Sequence, residues 1–182
     1  MLKKFINFYK TSSPAKPLEI SDEAKDKLYK KLRFQAFAAG TIGYSLYYVC
    51  RMSLSVVKQP LIDEGVLSAG QLGLIGSALL FVYAVGKFMN GFIADYCNIR
   101  RFMATGLFVS ALVNLIMGVL GFMQGTAGLS TVLIFISFAI LWGINGWMQS
   151  MGSPPGVISR SRWFPRSKRG TYYGIFSATP YL

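Results

Sequence analysis

Residues 38–57 read AAGTIGYSLYYVCRMSLSVV, an apolar stretch long enough to cross a bilayer that nevertheless carries Arg51 well inside it. An arginine near the centre of a membrane helix costs about 2.5–3.5 kcal/mol on insertion scales, so it is kept where it faces water, a partner charge or an anionic ligand. The rest of the chain keeps it in a membrane: 53% of residues are hydrophobic, 14% are charged and the mean hydropathy is +0.43. The apolar share and hydropathy lie above, and the charged share below, those of an ordinary soluble domain, which predicts an all-α integral membrane protein.

Apolar runs predict four complete spans, over about 32–57, 69–94, 102–123 and 131–151. A fifth run, from about residue 171 to the last residue, is too short to cross and reads as the start of a fifth helix. The chain thus divides into a basic tail, 1–31, and a partial transmembrane helix bundle, 32–182. In the tail, Ser21-Asp22-Glu23-Ala24 opens a short helix that runs into the first span, and 11–17 reads as a loop. Residues 95–101 and 165–170 read as charged loops, 62–65 as a polar turn, and Pro154-Pro155 as a kink or break after the fourth span.

The formal charge of +12 invites a nucleic-acid reading, but the cations are segregated. Nine lie in the tail through Arg33, two (Arg100, Arg101) between spans two and three, and five (Arg160, Arg162, Arg166, Lys168, Arg169) after span four. On the opposite side Lys58 stands alone, with Arg51 and Lys87 inside the membrane. This is a positive-inside pattern with a cytoplasmic N-terminus, and charges spread over short loops do not make a nucleic-acid face.

Cys50 and Cys97 sit in or beside apolar runs and the chain has no histidine, so neither a disulfide framework nor a zinc site has support. The N-terminus lacks the compact apolar core of a cleavable signal peptide. Paired carboxylates, a nucleophile triad and a nucleotide-cradling loop are also missing from the pattern, so the chain is not expected to be an enzyme or to need a cofactor.

If span one is helical, Gly40, Tyr44, Tyr48, Arg51 and Ser55 follow one another at three- and four-residue spacings and form one stripe bordered by Tyr47. Small, hydroxylated and cationic residues on an otherwise apolar helix suit a water-filled cavity. A guanidinium offers a rigid fork of donors matched to phosphate or carboxylate oxygens. The spans as drawn hold no acidic residue to neutralise Arg51. Span two repeats the pattern with Gly76, Leu80, Tyr83, Lys87 and Asn90 or Gly91. Lys87 there either faces the cavity or snorkels toward the adjacent loop. Near the end of span four, Gly143, Gly146 and Gly152 suit close helix packing, while Gln149 either faces a polar path or bonds to a neighbouring helix.

The segment Gly91-Phe92-Ile93-Ala94-Asp95-Tyr96-Cys97-Asn98-Ile99-Arg100-Arg101 resembles the loop signature of the major facilitator superfamily. Gly43-Tyr44 with Tyr47-Tyr48-Val49-Cys50-Arg51, then Gly86-Lys87-Phe88, then Gly146-Trp147-Met148-Gln149-Ser150-Met151-Gly152-Ser153-Pro154-Pro155 together resemble its organophosphate:phosphate antiporter family. Trp163-Phe164-Pro165-Arg166-Ser167-Lys168-Arg169-Gly170-Thr171 is similar to the hexose-phosphate branch. The resemblance implies that Arg51 contacts phosphate, that Lys87 lies beside the site, that Tyr44, Tyr48 and Tyr83 line the cavity, and that Gln149 is the glutamine of the helix-four signature. Met52 stands where a second lysine is common, Ser153 where a tryptophan is frequent, and Pro180 where a histidine usually stands.

The implied fold is the N-terminal part of a twelve-helix transporter with its site between two halves. The implied function is exchange of a sugar phosphate, with hexose phosphate foremost, for inorganic phosphate across the bacterial inner membrane. Neither ATP nor a metal is implied, and a missing C-terminal half would be needed to complete the site. Two other readings stand beside it: a membrane sensor of sugar phosphate with the same fold, and an inactive truncated gene product.

Overall fold

The computed structural model describes residues 2–11 and 19–178. Among them are α1 (Leu2–Tyr9), α2 (Asp22–Asp63), α3 (Ala69–Tyr96), α4 (Ile99–Ala127), α5 (Thr131–Gln149), α6 (Ser153–Trp163) and α7 (Arg166–Ala178). The helix starts follow their capping residues. The Ser21 side chain accepts from Ala24 N, so the helix expected at that serine begins there and continues without interruption as α2. Ser68 and Gln71 form a reciprocal capping box for α3, and Asn98 Oδ1 accepts from Arg100 N and Arg101 N to start α4. Gly65 and Gly128 turn the chain after α2 and α4 with φ of +68° and +61°, a region that glycine enters without steric cost.

Several boundaries differ from those expected. The charged loop at 95–101 shrinks to Cys97-Asn98, because the Asn98 cap draws Arg100 and Arg101 into the first turn of α4. Helix α2 passes Pro60 and reaches Asp63, so the polar turn begins at Glu64. The basic stretch expected as a loop at 165–170 is mostly the first turns of α7. Arg169 reaches back from α7 to the carbonyls of Phe164 (2.8 Å) and Ser161 (2.7 Å), where the negative end of α6 favours a cation. The expected break at Pro154-Pro155 is observed as the turn between α5 and α6, with both prolines in the first turn of α6. Most of the loop expected at 11–17, and Pro180, lie outside the described residues.

Three helical stretches are long and apolar enough to cross a membrane: Ala69–Tyr96, Ile99–Thr126 and Thr131–Trp163, the last formed by α5 and α6 together. The sequence predicts four complete spans. Helix α2 has the length but is not among the three, because Tyr44, Tyr47, Tyr48, Arg51 and its serines dilute its apolar character. Many outward-facing side chains are apolar, with Phe81, Phe88, Phe108, Phe122 and Val56 all more than two-thirds exposed, as expected of surfaces that meet lipid.

Helix α3 packs most extensively on α5, and α4 packs on α5, while α2 rests on α4 and α6. At one end Leu54, Leu72, Ile75, Val113, Ile134 and Trp142 form the main core. The opposite end collects the basic segments: Tyr29 donates to the carbonyl of Trp163 at 2.7 Å, Arg33 lies over the Phe164 ring, and Arg101 donates to the carbonyl of Phe8 at 2.7 Å.

Polar side chains tie the helices together. Tyr47 is 1% exposed and donates to the carbonyl of Met103 at 2.8 Å, while its ring lies against Gly152. Asn90 donates to Ser150 Oγ at 2.6 Å, and Ser53 bonds Asn114. We expect Tyr47→Phe to keep the ring packing and to destabilise the fold by about 1 kcal/mol, the net worth of one buried hydrogen bond. Thermal unfolding in detergent measures this.

Candidate functional site

Arg51 projects from α2 into the gap between α2 and α3. Its guanidinium carbon lies 4.3 Å from the centre of the Tyr83 ring and 5.7 Å from that of Tyr48. Lys87 Nζ lies 5.5 Å from the same Tyr83 ring, so one tyrosine is shared by two cations. Tyr44 meets Tyr48 edge to face at 5.3 Å one turn further along α2. Five of the six residues expected at the site therefore form one cluster: Tyr44, Tyr48, Arg51, Tyr83 and Lys87.

The cluster borders two openings. Tyr44, Tyr48 and Lys87 line a cavity of about 330 Å³ together with Ser153 of α6 and Tyr173, Phe176 and Ser177 of α7. Arg51 and Ser55 line a second one of about 280 Å³ with Lys58, Gly76 and Leu80. Gly40, expected on the same stripe, lies instead on a third cavity near Gly43 and Met103. The four-residue step turns a helix by about 40° beyond a full turn, so a long stripe drifts off one face. Asn90 leaves the expected α3 stripe by bonding Ser150, which leaves Gly91 as the member of that pair not engaged there.

Gln149 is not in the cluster. It is 5% exposed, and its Nε2 donates to the carbonyl of Tyr47 at 3.0 Å and to Ser110 Oγ at 3.4 Å. Of the two roles its sequence position leaves open, the geometry supports bonding between helices. The glycines around it pack closely: a Cβ on Gly146 would lie 2.5 Å from the Leu79 carbonyl oxygen, and one on Gly86 would lie 2.6 Å from Ser150 Oγ.

Sequence reasoning misses Tyr173, Phe176 and Ser177, which close the tyrosine cavity from α7. Tyr172, Tyr173 and Phe176 carry a helical aromatic spacing, but the basic run before them reads as a loop, and that hides the face they share. Phe176 stacks on Tyr44 with ring centres 4.2 Å apart, and so orders the wall of the cavity.

The electrostatics are one-sided. Among the described residues the salt bridge formed is Lys25 to Asp22 on the surface, so Arg51 and Lys87 are paired with no carboxylate. Arg51 Nε is buried with no hydrogen-bond partner among the described residues. Two ring contacts at about 0.5–1 kcal/mol each offset only part of an insertion cost of about 3 kcal/mol. Water, a partner charge or an anion can supply the rest. A guanidinium fork and an ammonium share one tyrosine ring here, and donors of these two kinds are matched to phosphoryl oxygens.

The Major Facilitator Superfamily model matches residues 40–180, and the chain belongs to that superfamily. Its relatives are of the organophosphate:phosphate antiporter type that the motifs resemble. A probable hexose phosphate transport protein of Chlamydia pneumoniae is 34% identical over 172 residues, covering 94% of this chain and 35% of the relative. The glycerol-3-phosphate transporter of Bacillus subtilis is 36% identical over 173 residues, covering 94% and 36%. The membrane sensor protein UhpC of Salmonella typhimurium is 28% identical over 172 residues, covering 94% and 36%. The chain thus spans about a third of the length of these relatives, and no solved structure matches it. It is a multi-pass membrane protein of a transporter superfamily and not an enzyme.

Proposed function

We propose that this chain forms the N-terminal part of a secondary transporter that exchanges a sugar phosphate, most favourably a hexose phosphate, for inorganic phosphate across the bacterial inner membrane. The observation that carries the reading is the carboxylate-free cluster of Arg51 and Lys87 around Tyr83. Arg51 grips the phosphoryl oxygens, Lys87 sets the positive field, and Tyr44, Tyr48 and Tyr83 hydrogen-bond the ligand. Helix α2 crosses the membrane as the first of four spans, with the cytoplasmic N-terminus at the basic end. Its polar stripe then lies toward the anion path, where low hydropathy carries no cost in lipid contact. The site is completed by a second half, and rocking of the halves about the bound anion alternates access. A hexose phosphate transport protein among the relatives supports the choice of sugar.

Uptake of labelled glucose 6-phosphate into vesicles loaded with phosphate tests this, using the full-length transporter that contains this segment. Uptake that requires internal phosphate is expected; uptake unaffected by emptying the vesicles contradicts exchange. The sensor reading draws on the relatives named UhpC. It predicts binding of glucose 6-phosphate without net uptake in the same vesicles.

A further inference from the structure

Arg160 of α6 is a second buried cation, away from the Arg51 cluster. It is 5% exposed. Its guanidinium lies 3.3 Å from the centre of the Phe176 ring, and that ring's stack on Tyr44 separates it from the tyrosine cavity. Its hydrogen bond runs to Gly156 O in its own helix at 2.6 Å, and its Nε has no partner among the described residues. Intrahelical bonding satisfies one donor of a group that carries five. Among the described residues the buried charge has no counter-ion.

The opening beside it shows what could supply one. Arg160 and Arg100 line a cavity of about 520 Å³ between α2, α4 and α6, and no acidic residue is among the described residues that line it. The remaining wall is mostly apolar, with Ala39, Gly40, Gly43, Met103, Ala104 and Leu107 extending from the arginines along α2 and α4. A small, fully hydrated anion would leave this long apolar wall uncovered. An anion joined to a hydrocarbon chain would cover both parts, with its phosphate at the two guanidinium groups and its chain along the glycine and methionine surface. Gly40 and Gly43 leave the α2 backbone open on that surface, where only the flexible end of Met103 approaches Gly43.

We infer that the groove between α2, α4 and α6 binds an anionic phospholipid, with the headgroup phosphate held between Arg100 and Arg160. Such a lipid completes the charge balance of the basic end, where anionic headgroups lie in a positive-inside topology. The site is independent of the sugar-phosphate reading, because Phe176 stands between it and the cluster.

Native mass spectrometry of the chain purified in mild detergent tests the inference, with phosphatidylglycerol or phosphatidylcholine of identical acyl chains added. Phosphatidylglycerol is expected to be retained roughly tenfold better, because the choline ammonium of phosphatidylcholine neutralises its phosphate and is repelled by the two guanidinium groups. Arg100→Gln changes an exposed residue without disturbing packing and should remove most of that preference, and Arg160→Gln should do the same. Arg160→Lys, with unchanged helical circular dichroism, should retain part of it. Equal retention of the two lipids overturns the inference, as does a preference unchanged in Arg100→Gln. Displacement of the lipid by inorganic phosphate would instead mark a small-anion site and also overturn it. Failure to retain either lipid would point to a further protein segment in the groove, and would overturn it as well.

Discussion

Arg51→Lys is expected to lower phosphate exchange by roughly a hundredfold in the full-length transporter, while membrane insertion and helical content stay unchanged. The charge survives this substitution, so the loss measures geometry. The guanidinium stacks 4.3 Å from the Tyr83 ring and presents a planar fork toward the gap between α2 and α3. A lysine ammonium is a compact, strongly hydrated point charge that cannot bind two phosphoryl oxygens in the same fixed fork. Labelled phosphate counterflow in reconstituted vesicles reads the effect. Normal counterflow by Arg51→Lys would remove Arg51 from the binding role, whatever the fate of Lys87.

Gly146→Val is expected to cost at least about 3 kcal/mol and to reduce the protein recovered from membranes. A Cβ at Gly146 would sit 2.5 Å from Leu79 O and 3.1 Å from Leu79 Cα, both backbone atoms of α3 that no rotamer change can move. The α3–α5 contact would have to separate. It is the most extensive interface of the bundle, and close van der Waals approach is the main source of helix association in a membrane. Gly91→Ala is the matched control, since a Cβ there meets nothing within 4 Å and should change stability by less than about 1 kcal/mol. Unfolding in a detergent–denaturant titration measures both. Comparable losses in the two variants would sink the packing account of Gly146.

Much of the helical organisation is legible in the sequence because it rests on local signals. Ser21 and Pro154-Pro155 act within a few residues of themselves, and the structure starts α2 and breaks α5 from α6 where they stand. Helical spacing places Tyr44, Tyr48 and Arg51 on one stripe and Tyr83 and Lys87 on another, while the expectation that the two stripes share one site rests on the family resemblance. Other features depend on partners distant in sequence. Gln149 has the chemistry of a site residue, but its amide is taken up by Tyr47, 102 positions away, and by Ser110. The basic run from Arg166 to Arg169 resembles a loop as long as its charges are considered apart from the α6 carbonyls that receive Arg169. The number of spans is ambiguous for a related reason. The residues that give α2 its proposed binding role also dilute the hydropathy by which a crossing helix is recognised.

Equilibrium binding of labelled phosphate to the reconstituted full-length transporter tests the central claim most directly, with glucose 6-phosphate, glycerol 3-phosphate and free glucose as competitors. The carboxylate-free cluster predicts displacement by both phosphate esters, none by glucose, and no specific binding in Arg51→Lys. Equal displacement by glucose, or undiminished phosphate binding in Arg51→Lys, would contradict an anion site built on Arg51 and Lys87.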